Sequence, residues 1–205
     1  MKRFAIAVLF VLVSLTSVST QAKEFSWTGM QLYSVMSGET EMGDNLFLSA
    51  NIIDLYLPEV GFNNLYLYAG VRWQPASWLS VAPYVGFVTK FAPSGNDLVI
   101  GSLWVTLTPV DWLNVGLQSD FYYNNDQAEN WYYYGFYTAN YVPNKVFNLG
   151  VQCEQTDKNF QVGPHVGFNK GLWHLELQYF VTTPGSDFFY GKEGHALRVV
   201  NWITF

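Results

Sequence analysis

From about residue 45 to its last residue the chain alternates apolar and polar side chains in short stretches, each broken by Pro, Gly, Asn or Asp. A period of two is that of a β-strand, whose successive side chains point to opposite faces. The stretches fall at 45–57, 63–74, 78–90, 97–108, 112–124, 130–141, 146–155, 159–169, 172–182 and 195–205, ten predicted strands in all. Asn169-Lys170-Gly171, Val142-Pro143-Asn144-Lys145, Pro109-Val110-Asp111 and Gln74-Pro75-Ala76-Ser77 are tight connections rich in turn formers. The intervening ones, Asn124 to Glu129, Ala92 to Asn96 and Thr183 to Gly194, are longer and polar or glycine-bearing. Two places break the rhythm. Inside 45–57 the apolar phase flips from Leu46, Leu48 and Ile52 to Ile53, Leu55 and Leu57, which predicts a bulge near Ile52. Residues 24–36 admit three readings: an extension, a plug, or a further strand.

Alternation also sorts the side chains by face. On 63–74, Leu65, Leu67, Ala69 and Val71 share one face and Tyr66, Tyr68, Gly70, Arg72 and Gln74 the other. On 112–124, Leu113, Val115, Leu117 and Phe121 oppose Asn114, Gln118, Asp120 and Tyr122. The same rule puts Lys90, Glu154, His165, His174, Glu176, Gln178 and Arg198 on the polar face, so almost every mid-strand charge falls on one side. If Lys170-Gly171 closes its hairpin, His165 stands opposite Glu176, Gly163 opposite Gln178 and Gly167 opposite His174.

Rings mark the strand ends. Trp73, Trp78 and Trp112 flank tight turns, while Tyr122, Tyr123, Trp131, Tyr132, Tyr133 and Tyr134 gather around a long connection. Aromatics make up 19% of the chain, whereas charged residues at 13% are about half the level of a soluble domain. At the N-terminus, Lys2 and Arg3 precede an apolar run from Phe4 to Val13, and Thr20-Gln21-Ala22 has the form of a cleavage site. These features predict a secretory signal over 1–22 and a mature chain from Lys23. No later apolar run reaches the roughly 20 residues of a spanning helix.

The closing stretch, Leu197 to Phe205, keeps Leu197, Val199, Ile203 and Phe205 on one face and ends on an aromatic ring. With the leader and the hairpin rhythm, it resembles the bacterial outer-membrane β-barrel proteins, a likeness at superfamily level that covers Lys23 to Phe205. The resemblance implies a transmembrane antiparallel up-and-down barrel, with short turns in the periplasm and long loops outside. An even strand count follows if both chain ends lie in the periplasm, hence ten strands, with twelve as the alternative. It implies that the apolar face meets outer-membrane lipid and that Phe205 serves as the insertion signal read by the barrel-assembly machinery. Asn201 departs from the pattern, because it occupies an outward slot where an apolar side chain is expected.

On this reading the lumen is lined by Tyr66, Tyr68, Arg72, Lys90, Asp120, Tyr122, Glu154, His165, His174, Glu176 and Arg198. Small barrels fill their interiors with side chains, so such residues serve equally as filler, as a narrow solute path, or as a stacking track for sugars or nucleosides. The first expectation is a narrow porin-like or gated channel for small polar solutes. A structural or binding barrel without transport is the second. The third, a lipid- or peptide-modifying enzyme, would use Ser186, Asp187 and His195 at the rim, a set no motif supports.

Removal of the leader leaves 8 basic and 16 acidic residues, a net charge of −8, which speaks against nucleic-acid binding. No cofactor motif is present, and His165 with His174 lacks a third ligand for a metal. Cys153 is the only cysteine, so no intrachain disulfide forms, and its expected role is packing.

Overall fold

The computed structural model describes residues 27–58, 61–92, 98–123, 131–157, 159–182 and 194–205. They form a single closed barrel of eleven strands. In chain order these are β1 Trp27–Gly43, β2 Leu46–Leu57, β3 Phe62–Ala76, β4 Leu79–Ala92, β5 Leu98–Val110, β6 Leu113–Tyr123, β7 Trp131–Tyr141, β8 Phe147–Thr156, β9 Asn159–Lys170, β10 Trp173–Thr182 and β11 His195–Thr204. Each is antiparallel to its sequence neighbour, and the barrel closes where β1 runs parallel to β11. No helix among the described residues is long and apolar enough to cross a membrane, which says nothing about strands.

Ten strands fall where the alternation places them, and the eleventh corrects both the count of ten and the alternative of twelve. The parity argument assumed an antiparallel seam. A parallel seam removes that constraint, because β1 starts beside His195 at the long-loop rim and descends alongside β11, pairing Met30 with Leu197 through to Ser37 with Thr204. Residues 27–36 are therefore barrel wall, neither extension nor plug; residues 24–26 lie outside the described residues, as do the leader and the loops 93–97, 124–130 and 183–193. Phe205 is tied to the seam, its N–H donating to the Ser37 carbonyl at 2.8 Å, while its ring stays exposed.

Two finer expectations are also corrected. No bulge occurs near Ile52, since β2 pairs residue by residue with β3 from Leu46 to Leu57. The apolar phase flips there because Leu55 and Leu57 point inward and are buried. The β9–β10 hairpin turns at Gly171-Leu172, so Lys170 pairs with Trp173 and the register slides by two residues. His165 stands opposite Gln178, Glu176 opposite Gly167 and His174 opposite Asn169. Gly171 carries φ +62° and Leu172 no positive φ, which fits a two-residue turn that takes glycine at its first central position.

The outer face is apolar and open. Val85 is 70% exposed, and Val99, Phe121, Leu48, Leu103, Leu177, Ile52 and Leu67 join it in a belt around the barrel. Trp73 and Trp78 at the tight-turn rim, and Trp131 at the long-loop rim, are exposed at its borders. Asn201 is accounted for by its neighbour: on the outer face its Oδ1 accepts a hydrogen bond from the Trp173 indole.

Candidate functional site

The interior has two unlike sides. Along β3 to β6 it is packed with apolar and aromatic groups, from Leu98 near the long-loop rim to Ala82 near the tight-turn rim. Val88, Leu98, Ile100, Tyr68, Ala82, Tyr84 and Tyr122 form one buried cluster, with Ile53, Tyr66, Trp104, Tyr132 and Tyr134 packed against it. Phe180 is also fully buried. Glycines make the packing possible. Tyr68 lies opposite Gly86 and Gly70 opposite Tyr84, so each ring of β3 and β4 covers a bare backbone, and a Cβ on Gly70 would come within 2.7 Å of the Tyr84 ring.

Two polar hubs sit against this cluster. Glu154 on β8 and Arg198 on β11 meet across the interior, both guanidinium Nη atoms donating to the carboxylate, with the Nη2 bond at 2.8 Å. Arg198 also donates to Gln31 at 2.9 Å and Gln178 at 3.2 Å, and its guanidinium lies 4.2 Å from the Tyr33 ring centroid and 4.5 Å from that of Phe180. Tyr134 at 2.9 Å and Gln161 complete the donors to Glu154. Burial of a charge pair requires this density of partners, since each unfilled lone pair or proton carries a desolvation cost.

The second hub is Asp120 on β6, which is fully buried. Ser102 donates to one carboxylate oxygen; Tyr68 at 3.0 Å, Gln118 at 2.8 Å and Tyr122 at 3.3 Å donate to the other. The four donors equal in number the lone-pair sites of a carboxylate, but three crowd one oxygen and one serves the other. No cation is within ion-pairing distance of Asp120 among the described residues.

A cavity of about 640 Å³ runs along the interior from Thr106, Asn114, Asn140 and His174 near the tight-turn rim up to Tyr66, Tyr122 and Tyr132 near the long-loop rim. His174 Nε2 lies 3.1 Å from Glu176, and His165 Nδ1 lies 3.9 Å from it. His165 is held between the amide oxygens of Gln152 and Asn140. Nearer the tight-turn rim Arg72 is bidentate to Glu39, at 2.7 and 2.8 Å, with Phe47 beneath its guanidinium.

The structure thus brings Tyr66, Tyr68, Asp120, Tyr122, His174, Glu176 and Arg198 around one cavity, with Glu154 and His165 bonded to residues that line it, while Arg72 lines a separate, smaller cavity nearer the tight-turn rim. The Lys90 backbone belongs to β4, but its side chain lies outside the described residues. Ser186 and Asp187 lie outside them too. His195 points to the outer face, where its Nδ1 meets the Tyr179 hydroxyl. Tyr33, Trp104, Gln31 and Gln161 were not singled out from the sequence; Tyr132 and Tyr134 were, but only as rings at a strand end, and both line the cavity. Among the described residues no group of three or more His, Cys, Asp or Glu is placed to hold a metal ion. Cys153 is a half-buried free thiol.

No family model matches the chain, and no curated protein matches it.

Proposed function

We propose that the protein is a bacterial outer-membrane barrel, exported by its leader, whose lumen is a narrow gated channel for small polar solutes. The carrying observation is the combination of an exposed apolar belt with a polar cavity along the barrel axis. Monomeric soluble proteins rarely expose apolar patches beyond a few hundred Å². A lipid-facing wall requires such a belt, and a closed barrel satisfies every backbone group in hydrocarbon. Outer-membrane lipid and the assembly machinery are then its partners, with the exposed Phe205 ring available as the insertion signal.

The gate is the apolar packing around Val88, Leu98 and Ile100, near the long-loop rim. An eight-stranded barrel has just enough width to be filled by side chains and open pores use about sixteen strands, so eleven leave a path that a few residues can shut. Val88 and Ile100 are both fully buried there. The test is current through planar bilayers containing the purified protein. The wild type should give small, infrequent openings, and Ile100→Ser should lengthen them several-fold by wetting that packing. Silence from both proteins, inserted and folded, would overturn the channel.

The apolar packing around Val88, Leu98 and Ile100 favours a second reading, a barrel that binds a solute without passing it on. That protein would bind ligand and carry no current.

A further inference from the structure

We infer that the lumen cavity is a binding site for a small organic cation, an amine or quaternary ammonium compound that also carries a hydroxyl or carbonyl oxygen. The inference rests on reading the lumen as a place solutes enter, and it names their class.

The first argument is charge. Around the cavity the described side chains include one permanent cation, Arg198, and three carboxylates, Asp120, Glu154 and Glu176. Arg198 is consumed by Glu154. Glu176 has two histidines beside it, whereas Asp120 has hydrogen-bond donors and, among the described residues, no cation. With neutral imidazoles the described side chains leave two uncompensated negative charges in the interior, in surroundings where charges are weakly screened. An anion entering it is repelled and a cation attracted.

The second argument is the wall. Tyr33, Tyr66, Tyr68, Trp104, Tyr122, Tyr132 and Tyr134 all line the cavity. Tyr68 and Tyr122 donate their hydroxyl protons to Asp120, and Tyr134 donates to Glu154. A phenol bonded to a carboxylate gains electron density in its ring, which strengthens the attraction of the ring face for a cation. The same bonds commit these hydroxyls, leaving a neutral polyol few free partners there. Trp104, by contrast, keeps a buried indole N–H without a partner among the described residues, a donor suited to an oxygen on the incoming molecule.

The third argument is that the lumen already holds cations this way. The Arg198 guanidinium lies between the Tyr33 and Phe180 faces against Glu154, and that of Arg72 lies 4.0 Å from the Phe47 ring centroid against Glu39. The Tyr122–Tyr132 stack at 4.5 Å and the rings around Asp120 repeat that combination of aromatic faces and a carboxylate. A cavity of about 640 Å³ is within the size range of small-molecule sites.

The experiment is calorimetric titration of the detergent-purified protein with choline, with its uncharged isostere 3,3-dimethylbutan-1-ol, and with glucose. Choline should bind saturably at one site, and the isostere about tenfold or more weakly. Asp120→Asn should weaken choline about tenfold and leave the isostere unchanged. Trp104→Phe, which keeps a ring but loses the N–H, should weaken choline more than tetramethylammonium. Retention of the folded band on unheated gels qualifies each variant, and Trp104→Phe carries the test if Asp120→Asn does not fold. Equal affinity for choline and its isostere, binding of glucose alone, or no binding of any probe would overturn the inference. Failure of the channel reading is visible separately, as a protein that binds choline and passes no current.

Discussion

Arg198→Met should destabilise the folded barrel by about 3–5 kcal/mol, the cost of leaving a buried carboxylate without its cation. Glu154 is fully buried, and two of its four donors come from Arg198. Tyr134 and Gln161 remain, yet neither carries charge. Glu154→Gln in the same chain should recover most of the loss, because an amide beside Met, Gln31 and Gln178 leaves no uncompensated charge. Urea titration of vesicle-inserted protein, followed by tryptophan fluorescence, measures both variants. A single variant within about 1 kcal/mol of wild type would mean that the pair does not govern the interior, since such small shifts are those of exposed ion pairs.

Val85→Arg should cost about 2–4 kcal/mol in a bilayer, the penalty for a cation at the lipid midplane. Val85 is the most exposed of the large apolar side chains and stands midway along β4, opposite Ala69 on one side and Gly101 on the other. On a water-facing barrel the same change would alter stability by no more than about 0.5 kcal/mol, as surface substitutions do. The sign and size of this one effect therefore distinguish lipid from water outside the wall. The measurement is the same urea titration in vesicles, and a near-zero change would remove the belt as a lipid contact.

The ten strands from Leu46 to Thr204 were legible because a wall with one apolar and one polar face writes its period into the sequence. β1 was less so: its lower half, Gly38-Glu39-Thr40-Glu41, has no apolar alternation, and nothing local to a strand tells whether its far neighbour runs parallel. The turn at Gly171-Leu172 was misplaced by one residue, which shifts every opposite pair by two. Its correct position depends on the φ of one glycine, a quantity the residue type permits without fixing. Ile53, Leu55 and Leu57 were read as a bulge on the premise that a lumen is polar. They face inward because part of this interior is packed with apolar side chains. Trp104 escaped for a related reason, since a tryptophan at mid-strand carries no sign of whether it faces lipid or lumen.

Flotation of the chain, refolded from urea in the presence of phospholipid vesicles, tests the central claim most directly. The account predicts that the protein rises with the vesicles through a density gradient, resists extraction by carbonate, and gives a β-sheet circular dichroism spectrum. A folded monomer that stays in the detergent-free aqueous layer would contradict it.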